Sequence, residues 1–425
     1  MTSRFASLSA LAALLANLIG APLCAAGLEG EPASAQLTGT VVVVNQAADT
    51  VTLIDVATME AYRHVPVVGG PHEVAISPDG RRAIVTNYRK RGVGPQKALS
   101  LISLPDGAVL KTIDLGKYRA PHDVHWVNGS QVVCTVEDNQ ALLLVNVESG
   151  AVERVFETGR DGSHMLALSP DRRRLFSSNM SGDGSVSVFD FRTGEKITDI
   201  DTGKECEGIG VSPDGRWIWA GNRAEDTVSI IDAGTLELVK TLESPGFPYR
   251  VEFTPDGRHA LVPHARSGTL MVGDVAGQRV IRHLPLGLTE VDQPSTAGVF
   301  PHPDNVHAFV TVRNDNAVLL LNIETGETLA RVEVQASPDG VAWSPVQGNA
   351  AVTQPLQFGS HRSKLVRVLR DGACSDRAKL NDEEWVEMKK HAEFGFKILE
   401  NIPFLGNARQ VVRQHHERFD GKGYP

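Results

Sequence analysis

The chain has 425 residues, of which 41% are hydrophobic and 22% are charged, so it is long enough for a large core and for more than one domain. Its 40 glycines and 23 prolines indicate many turns, which is typical of short strands rather than long helices. The formal net charge is −9 and no basic stripe is present, which argues against nucleic acid as the main partner.

Residues 1–35 have the features of an export signal. Arg4 supplies the positive charge, residues 8–23 form an apolar stretch, and Ala33-Ser34-Ala35 gives the small-x-small pattern that signal peptidases cleave. The alternative is a membrane anchor, for which the stretch is short. We therefore expect cleavage, a periplasmic or secreted protein, and no membrane span after the signal has been removed.

One unit is repeated seven times within residues 37–347. The copies begin near residues 71, 121, 162, 206, 248, 296 and 338, and are spaced by 41 to 50 residues. In the clearest copies a short alternating strand runs into a Ser-Pro-Asp-Gly turn, and three further strands with period 2 follow. This pattern predicts an all-β fold, a seven-bladed β-propeller of four-stranded antiparallel blades. Residues 40–45 and 51–56 are expected to complete the blade whose innermost strand is the last one, at 340–345.

The repeat resembles the YVTN-type propeller family, which is related to lactonase-like and cytochrome-d1-like propellers. The residues that carry the resemblance are the Ser-Pro-Asp-Gly turns, the VTN and AGN ends of the second strand, and third strands such as TVSIID at 227–232. The resemblance covers about 310 residues. It is specific for the fold and only weakly specific for function, because propellers host many activities.

The repeat aligns one residue from each blade at the start of the innermost strand, and hence at one mouth of the central channel. In blade order this ring is His72, His122, His164, Glu207, Tyr249, Ala297 and Asp339. Five consecutive blades thus present metal-capable groups, since imidazole and carboxylate suit zinc, copper or iron. The predicted metal ligands are His72, His122, His164, Glu207 and Asp339. Cys206, Tyr249 and Arg250 are predicted to contact a bound ligand.

Two other interpretations of this ring stay open at this point. The side chains can bind a small polar organic molecule, or they can plug the channel through hydrogen bonds alone. No nucleophilic triad, phosphate loop or CxxCH haem motif is evident in the sequence. The case for an enzyme is therefore weak, and a lactonase-like hydrolase at the channel mouth is an alternative.

After about residue 354 the character of the sequence changes. Residues 348–379 read as an irregular junction, and helical periodicity begins in residues 380–425. This last segment resembles the HD-GYP phosphohydrolase family through MKKH, which ends at His391, and through HHERFDGKGYP at 415–425. The resemblance implies hydrolysis of cyclic di-GMP at a metal centre, with His391, His415 and His416 as ligands.

The segment departs from the family pattern in two ways. The upstream His-Asp pair has no counterpart before Lys379, and the aspartate expected after the GYP element is missing. Because a two-metal site needs its full ligand set, we expect a truncated remnant. The alternative is a phosphodiesterase completed by another chain. The favoured function is therefore an exported propeller that acts as a ligand- or metal-binding accessory module, with a protein partner as a further possibility.

Overall fold

The computed structural model describes residues 37–104, 106–288 and 296–348. Within these residues the strands form seven antiparallel sheets of four strands each, and the innermost strands surround a central channel. The all-β, seven-bladed architecture predicted from the repeat is confirmed. The predicted signal peptide, the HD-GYP-like segment and all of the junction except residue 348 lie outside the described residues, so the domain boundaries stay predictions.

Blade 1 is taken as the one that carries His72, and blade 7 as the one that closes the ring. The innermost strands are Pro71–Ile76, Pro121–Trp126, Ser163–Leu168, Cys206–Val211, Glu252–Phe253, Thr296–Pro301 and Pro338–Ser344. The second strands are Arg82–Lys90, Gln131–Val136, Arg174–Asn179, Trp217–Asn222, His259–His264, His307–Val312 and Thr40–Asn45. The third strands are Gly94–Ser103, Ala141–Asn146, Ser185–Asp190, Thr227–Asp232, Thr269–Asp274, Ala317–Asn322 and Thr50–Asp55. The outermost strands are Val109–Asp114, Val152–Glu157, Lys196–Asp201, Glu237–Glu243, Arg279–Pro285, Thr328–Glu333 and Glu60–Pro66.

The helical elements in the described part of the chain are two short 3₁₀ turns, Gln46–Ala48 and Glu137–Asn139. No helix among the described residues is long and apolar enough to cross a membrane.

The Ser-Pro-Asp-Gly turns link the first and second strands for a local reason. In blade 1 the Ser77 hydroxyl donates to Asp79 at 2.5 Å, and the same carboxylate accepts the backbone N–H of Arg81 at 3.1 Å. Gly80 then adopts a φ of +74°, which a residue without Cβ reaches at little cost. The turn therefore specifies the hairpin from four consecutive residues.

Ring closure joins the two ends of the repeat. Thr40–Asn45 pairs antiparallel with Pro338–Ser344, and Val43 lies opposite Val341. The closing blade thus takes its innermost strand from the end of the propeller and its three outer strands from the beginning, as the sequence predicted. This arrangement leaves no open edge between the first and last blades.

The hydrophobic core is divided into layers between neighbouring blades. Seven clusters of buried side chains each draw on two adjacent sheets, and together they cover all seven blade-to-blade contacts. Between blades 4 and 5, for example, the fully buried Trp219 packs edge-to-face on Phe253, with ring centroids 5.9 Å apart. This packing fixes the angular position of each blade, and with it the position of the residue that the blade presents to the channel.

Candidate functional site at the channel mouth

A β-bulge opens the innermost strand of blade 1. Pro71 pairs with Asn87 and Val74 pairs with Val85, so His72 and Glu73 together face one residue, Thr86. The same shift in register occurs in blades 2, 3, 4, 6 and 7. A bulge breaks the simple alternation of side chains. Two consecutive residues per blade can therefore reach the channel.

A hydroxyl group on the second strand holds each of four bulges in place. In blade 2 the Thr135 hydroxyl accepts the backbone N–H of Asp123 at 2.9 Å and donates to the carbonyl of His164, in the next blade, at 2.8 Å. The residues that make this bridge are Thr86, Thr135, Ser178 and Thr311. These hydroxyls bond to backbone groups, so they are positioning residues for the ring rather than nucleophiles.

The structure brings the predicted ring together. His72, His122 and His164 lie side by side, with ring centroids 3.9 and 3.6 Å apart, and each is at most 5% exposed. Glu207 and Asp339 flank them on the two sides and are fully buried. The imidazoles are stacked with their planes tilted by about 40°, so they do not all point at one central atom.

His164 is held between two carboxylates. Its Nε2 lies 2.8 Å from Glu207 and its Nδ1 lies 3.0 Å from Glu137 of the neighbouring blade. Burial alone would lower the pKa of this imidazole, but Glu207 and Glu137 outweigh burial and raise it to about 9. His164 is therefore an imidazolium ion at neutral pH, with both ring nitrogens occupied.

His122 lies between the other two imidazoles in a more isolated position. Burial lowers its pKa well below the ordinary value, and the neighbouring His164, His72 and arginine charges lower it further. Its Nδ1 is buried without a hydrogen-bond partner. His122 is therefore neutral, and it separates the charged His164 from His72.

The third part of the ring brings together three metal-capable side chains. Ligand atoms of His72, Glu73 and Asp339 all lie within 4.8 Å of one another. Among the described residues, this is the one place where three metal-capable side chains lie so close together. His72 Nε2 is 3.2 Å from an Asp339 oxygen, and His72 Nδ1 is 3.5 Å from Glu73. His72 Nδ1 and Asp339 Oδ1 are buried without hydrogen-bond partners.

Arginines balance the acidic side chains of this site. Arg250 is 3% exposed and crosses the channel, where it donates to Glu73 at 3.0 Å and to Glu207 at 2.9 Å. Burial would raise the pKa of the Glu73 carboxyl, but Arg250 and His72 outweigh it and hold the pKa below its usual range. Arg313 donates to Asp339, and its side chain is 20% exposed. The channel mouth is therefore a network of alternating charges.

The residues predicted to contact a ligand lie in two different places. The Tyr249 ring is buried beneath the guanidinium of Arg250, 4.3 Å away, so both belong to the network. Cys206 packs among apolar side chains between blades 3 and 4, where burial raises the pKa of its thiol to about 12. The ligand contacts predicted for Cys206, Tyr249 and Arg250 stay predictions.

Sequence reasoning missed a second ring. The residue that immediately follows the second strand also reaches the mouth: Glu137 binds His164, Arg223 binds Glu207 at 2.7 Å, and Arg313 binds Asp339. Tyr88 occupies the same repeat position in blade 1, within the longer second strand Arg82–Lys90, and donates to Glu137. The sequence could have predicted this second ring, because these residues occupy equivalent positions in their repeats. Glu73 was missed because strict alternation places it on the opposite face from His72.

The fold and the site define this protein as a seven-bladed β-propeller with a buried, charged channel mouth. The family model described as a YNCE-like β-propeller matches residues 40–300, and this chain belongs to that family. A second model, described as an HD domain, matches residues 373–425. These matches confirm the predicted propeller and the predicted HD-type segment at the C-terminal side.

Three curated proteins share parts of this sequence. The chain is 25% identical over 133 residues to 3'3'-cGAMP-specific phosphodiesterase 2 of Vibrio cholerae, which is 29% of this chain and 25% of that protein. It is 46% identical over 48 residues to a cyclic di-GMP phosphodiesterase of Thermotoga maritima, which is 11% and 13% of the two chains. It is 30% identical over 100 residues to dihydro-heme d1 dehydrogenase of Pseudomonas aeruginosa, which is 22% and 20%. The chain thus spans a quarter or less of the length of these relatives.

Solved structures share the propeller fold at low sequence identity. Hydrazine synthase of Kuenenia stuttgartiensis superposes with a TM-score of 0.59 at 18% identity, over 67% of this chain and 92% of that one. A functionally unknown protein of Desulfotomaculum acetoxidans gives 0.62 at 14% identity, over 72% and 99%. A structure of dihydro-heme d1 dehydrogenase gives 0.55 at 16% identity, over 74% and 76%. At these identities the similarity shows the fold.

Proposed function

We propose that this protein is an exported accessory propeller that binds a divalent transition-metal ion at its channel mouth. The observation that carries the proposal is the group formed by His72, Glu73 and Asp339. These side chains offer one nitrogen and two carboxylate oxygens within a span of 4.8 Å, in a buried site. Two of their polar atoms, His72 Nδ1 and Asp339 Oδ1, make no hydrogen bond and have only longer ion-pair contacts, to Glu73 at 3.5 Å and to Arg250 at 3.8 Å. A buried polar atom without a hydrogen bond is costly unless something binds it. Export is supported by the signal-like pattern in residues 1–35.

The donor set favours a metal that accepts both nitrogen and oxygen ligands. One imidazole with two carboxylates suits zinc, iron or copper better than magnesium or calcium, which prefer oxygen alone. Three protein ligands would also leave a coordination position for water or a small ligand. The other predicted ligands, His122, His164 and Glu207, surround this site, and His164 and Glu207 are engaged with each other. In this proposal the ion pair of His164 and Glu207 contributes to the charge balance around the ion, and the neutral His122 separates it from His72.

Arg313 and Arg250 are the groups with which a metal ion would have to compete, since both pair with Asp339 and Arg250 also binds Glu73. The Arg313 guanidinium donates to Asp339, yet the side chain reaches the surface and can move outward. Arg250 is more deeply held, because it also binds Glu73 and Glu207. An ion at the site therefore competes with Arg313 for the Asp339 carboxylate.

Metal titration of the full chain tests the proposal. Because His391, His415 and His416 are also candidate ligands, the three are first replaced by Ala to provide the background. In that background we expect one Zn²⁺ per chain, and we expect His72→Ala and Asp339→Asn each to abolish binding, while the distant His283→Ala does not. Unchanged zinc binding in His72→Ala and Asp339→Asn would refute the channel-mouth site.

Removal of the Arg313 side chain should strengthen zinc binding, whereas removal of a ligand should abolish it. Since a cation within a few ångströms disfavours a second cation, Arg313→Ala should increase zinc affinity by about tenfold or more. Calorimetric titration of the same background protein with and without the substitution measures this change. A loss of affinity in Arg313→Ala would show that the arginine supports the site rather than competing for it.

An organic ligand is the alternative at the same mouth. The relative from Pseudomonas aeruginosa is named for dihydro-heme d1, which makes a tetrapyrrole the organic compound to test first. Haem titration followed by absorbance separates the two cases. Saturable haem binding that is lost in His72→Ala, with no zinc binding, would replace the metal by a tetrapyrrole as the ligand.

A second candidate function is hydrolysis of a cyclic dinucleotide. It is favoured by the HD-domain match at residues 373–425 and by the two phosphodiesterase relatives. His391, His415 and His416 would be its metal ligands, and they lie outside the described residues. We expect the chain alone to show no turnover of cyclic di-GMP or 3'3'-cGAMP with Mn²⁺ or Fe²⁺. Turnover that disappears in the double variant His415→Ala, His416→Ala would make the C-terminal segment the site of the chemistry.

A further inference from the structure

The channel has a second polar end, opposite the histidine ring. A cavity of about 560 Å³ begins below the Glu73–Arg250 ion pair and extends along the innermost strands towards the turns at Pro78, Pro303 and Pro345. Its volume lies within the range of ordinary small-molecule sites. His72 and Asp339 do not line this cavity, and Glu73 is the residue that it shares with the proposed metal site.

The wall of the cavity is partly aromatic. Trp126, Phe300 and Trp343 line it from blades 2, 6 and 7. The indole N–H groups of both tryptophans are already bonded to backbone carbonyls, Trp126 to Ala75 at 3.1 Å and Trp343 to Thr38 at 2.9 Å. The rings are therefore fixed in position, and what they offer a ligand is apolar surface and π-electron density.

The polar part of the lining is acidic. Glu73, Asp123 and Glu252 all line the cavity, and Arg250, which lines it too, is bonded to Glu73. Arg172 also lines the wall, but its guanidinium donates to the backbone carbonyls of Trp126 and Val127. The three carboxyl groups therefore outnumber the two guanidinium groups of the lining.

Glu252 is the side chain that remains free to bind. Asp123 accepts the backbone N–H groups of Val124 at 2.7 Å and Leu166 at 2.8 Å, and Glu73 is bound to Arg250. Within the described residues the side chain of Glu252 makes no hydrogen bond or ion pair. Burial raises the pKa of its carboxyl to about 8, and the charges of Asp123 and Glu73 contribute in the same direction, while Arg250 opposes them. A cation beside this group would restore the ionised form.

We propose that this second cavity binds an organic ammonium ion with an apolar body of about the size of one aromatic ring. The ammonium group pairs with Glu252 and Asp123, and the body packs against Trp126, Phe300 and Trp343. A cation of this kind gains both the carboxylate attraction and the π-face of the walls. The proposal does not depend on the metal proposed at the histidine ring.

Three compounds of one shape test the proposal on the full chain. Phenethylamine, 2-phenylethanol and 3-phenylpropionate share a phenyl ring and differ in charge. By calorimetry we expect the amine to bind at least tenfold more tightly than the alcohol, and the carboxylate to bind most weakly. Equal binding of the three compounds, or no binding of the amine, would overturn the proposal.

Substitution of Glu252 tests whether its carboxyl group binds the amine. Glu252→Gln should weaken amine binding by about tenfold and leave the alcohol unchanged, whereas Glu333→Gln, on the exposed outermost strand of blade 6, should alter neither. His72→Ala should retain amine binding, which separates this cavity from the metal site.

The wild-type chain provides a measurement that requires no variant. Amine binding should strengthen by about tenfold between about pH 6 and 8, as Glu252 becomes able to ionise while a primary amine stays protonated. Other charged groups at the cavity are Asp123, Glu73, Arg250, Arg172 and His125, whose side chain is 41% exposed. Amine affinity that is flat over this range would exclude Glu252 as the binding carboxylate.

Discussion

At the scale of single residues, the electrostatics of the channel mouth depend on which groups surround each imidazole. His164 has a carboxylate hydrogen-bonded to each ring nitrogen, and His122 lies between the other two rings. His72 has one nitrogen without a hydrogen bond and lies beside two carboxylates. Three histidines at the same position of the repeat therefore have three different electrostatic environments. The neighbouring blades create this difference, because each supplies a different residue after its second strand.

The charge of His164 makes stability depend on pH in a defined direction. In the folded chain its pKa is raised to about 9, whereas in the unfolded chain it has the ordinary value near 6.5. The imidazolium therefore contributes its full stabilisation below about pH 6.5, and this contribution is lost as the pH rises through about 9. We expect the difference in melting temperature between the wild type and His164→Gln to be large near pH 6.5 and to shrink by about pH 9.5.

His283→Gln is the control for this measurement. His283 lies on the outermost strand Arg279–Pro285, and partial burial lowers its pKa, the opposite direction from the shift of His164. Its contribution to the melting temperature should therefore not fall as the pH rises over this range. A difference for His164→Gln that does not fall either would show that His164 is not the charged partner of Glu207 and Glu137.

At the scale of elements, the hydroxyl bridges connect the bulge of one blade to the first residues of the next. Thr135 joins the Asp123 N–H of blade 2 to the His164 carbonyl of blade 3, at buried positions. Blades 4, 5 and 7 carry Gly221, Pro263 and Val44 at the corresponding position, so no side-chain hydroxyl is present there. The bridges therefore rigidify the arc of the ring where the three histidines lie.

Replacing one bridge should destabilise the propeller measurably. Thr135→Val preserves the shape but leaves a buried N–H and a buried carbonyl without this partner, at a cost of about 1–3 kcal/mol in the free energy of unfolding. Thr135→Ser keeps the hydroxyl and should cost less. Urea denaturation of both variants measures the difference, and equal stabilities would mean that the hydroxyl does not contribute through these bonds.

At the scale of the whole molecule, the repeat made the blades and the ring of residues predictable. Local turn chemistry and period 2 specify each hairpin, so aligning seven copies also aligns His72, His122, His164, Glu207 and Asp339 in space. This reasoning works because neighbouring blades are packed in register by apolar layers that the repeat also encodes.

The partners of these residues were less accessible to sequence reasoning. Glu73 reaches the channel because a bulge overrides the alternation that would place it on the other face. Its bond to Arg250 joins residues 177 positions apart, across the channel, and no local pattern specifies such a pair. The cavity at the opposite end could not be predicted for the same reason. It is lined by residues from several blades, and their spacing depends on ring closure.

The most direct test of the central claim is an anomalous scattering measurement at the zinc edge on crystals of the full chain grown with Zn²⁺. We predict a peak about 2.0–2.2 Å from a His72 nitrogen and from carboxylate oxygens of Glu73 and Asp339, with the Arg313 side chain displaced from Asp339. A fully occupied zinc elsewhere in the chain, with no peak between His72 and Asp339 and with Arg313 still bonded to Asp339, would contradict the account.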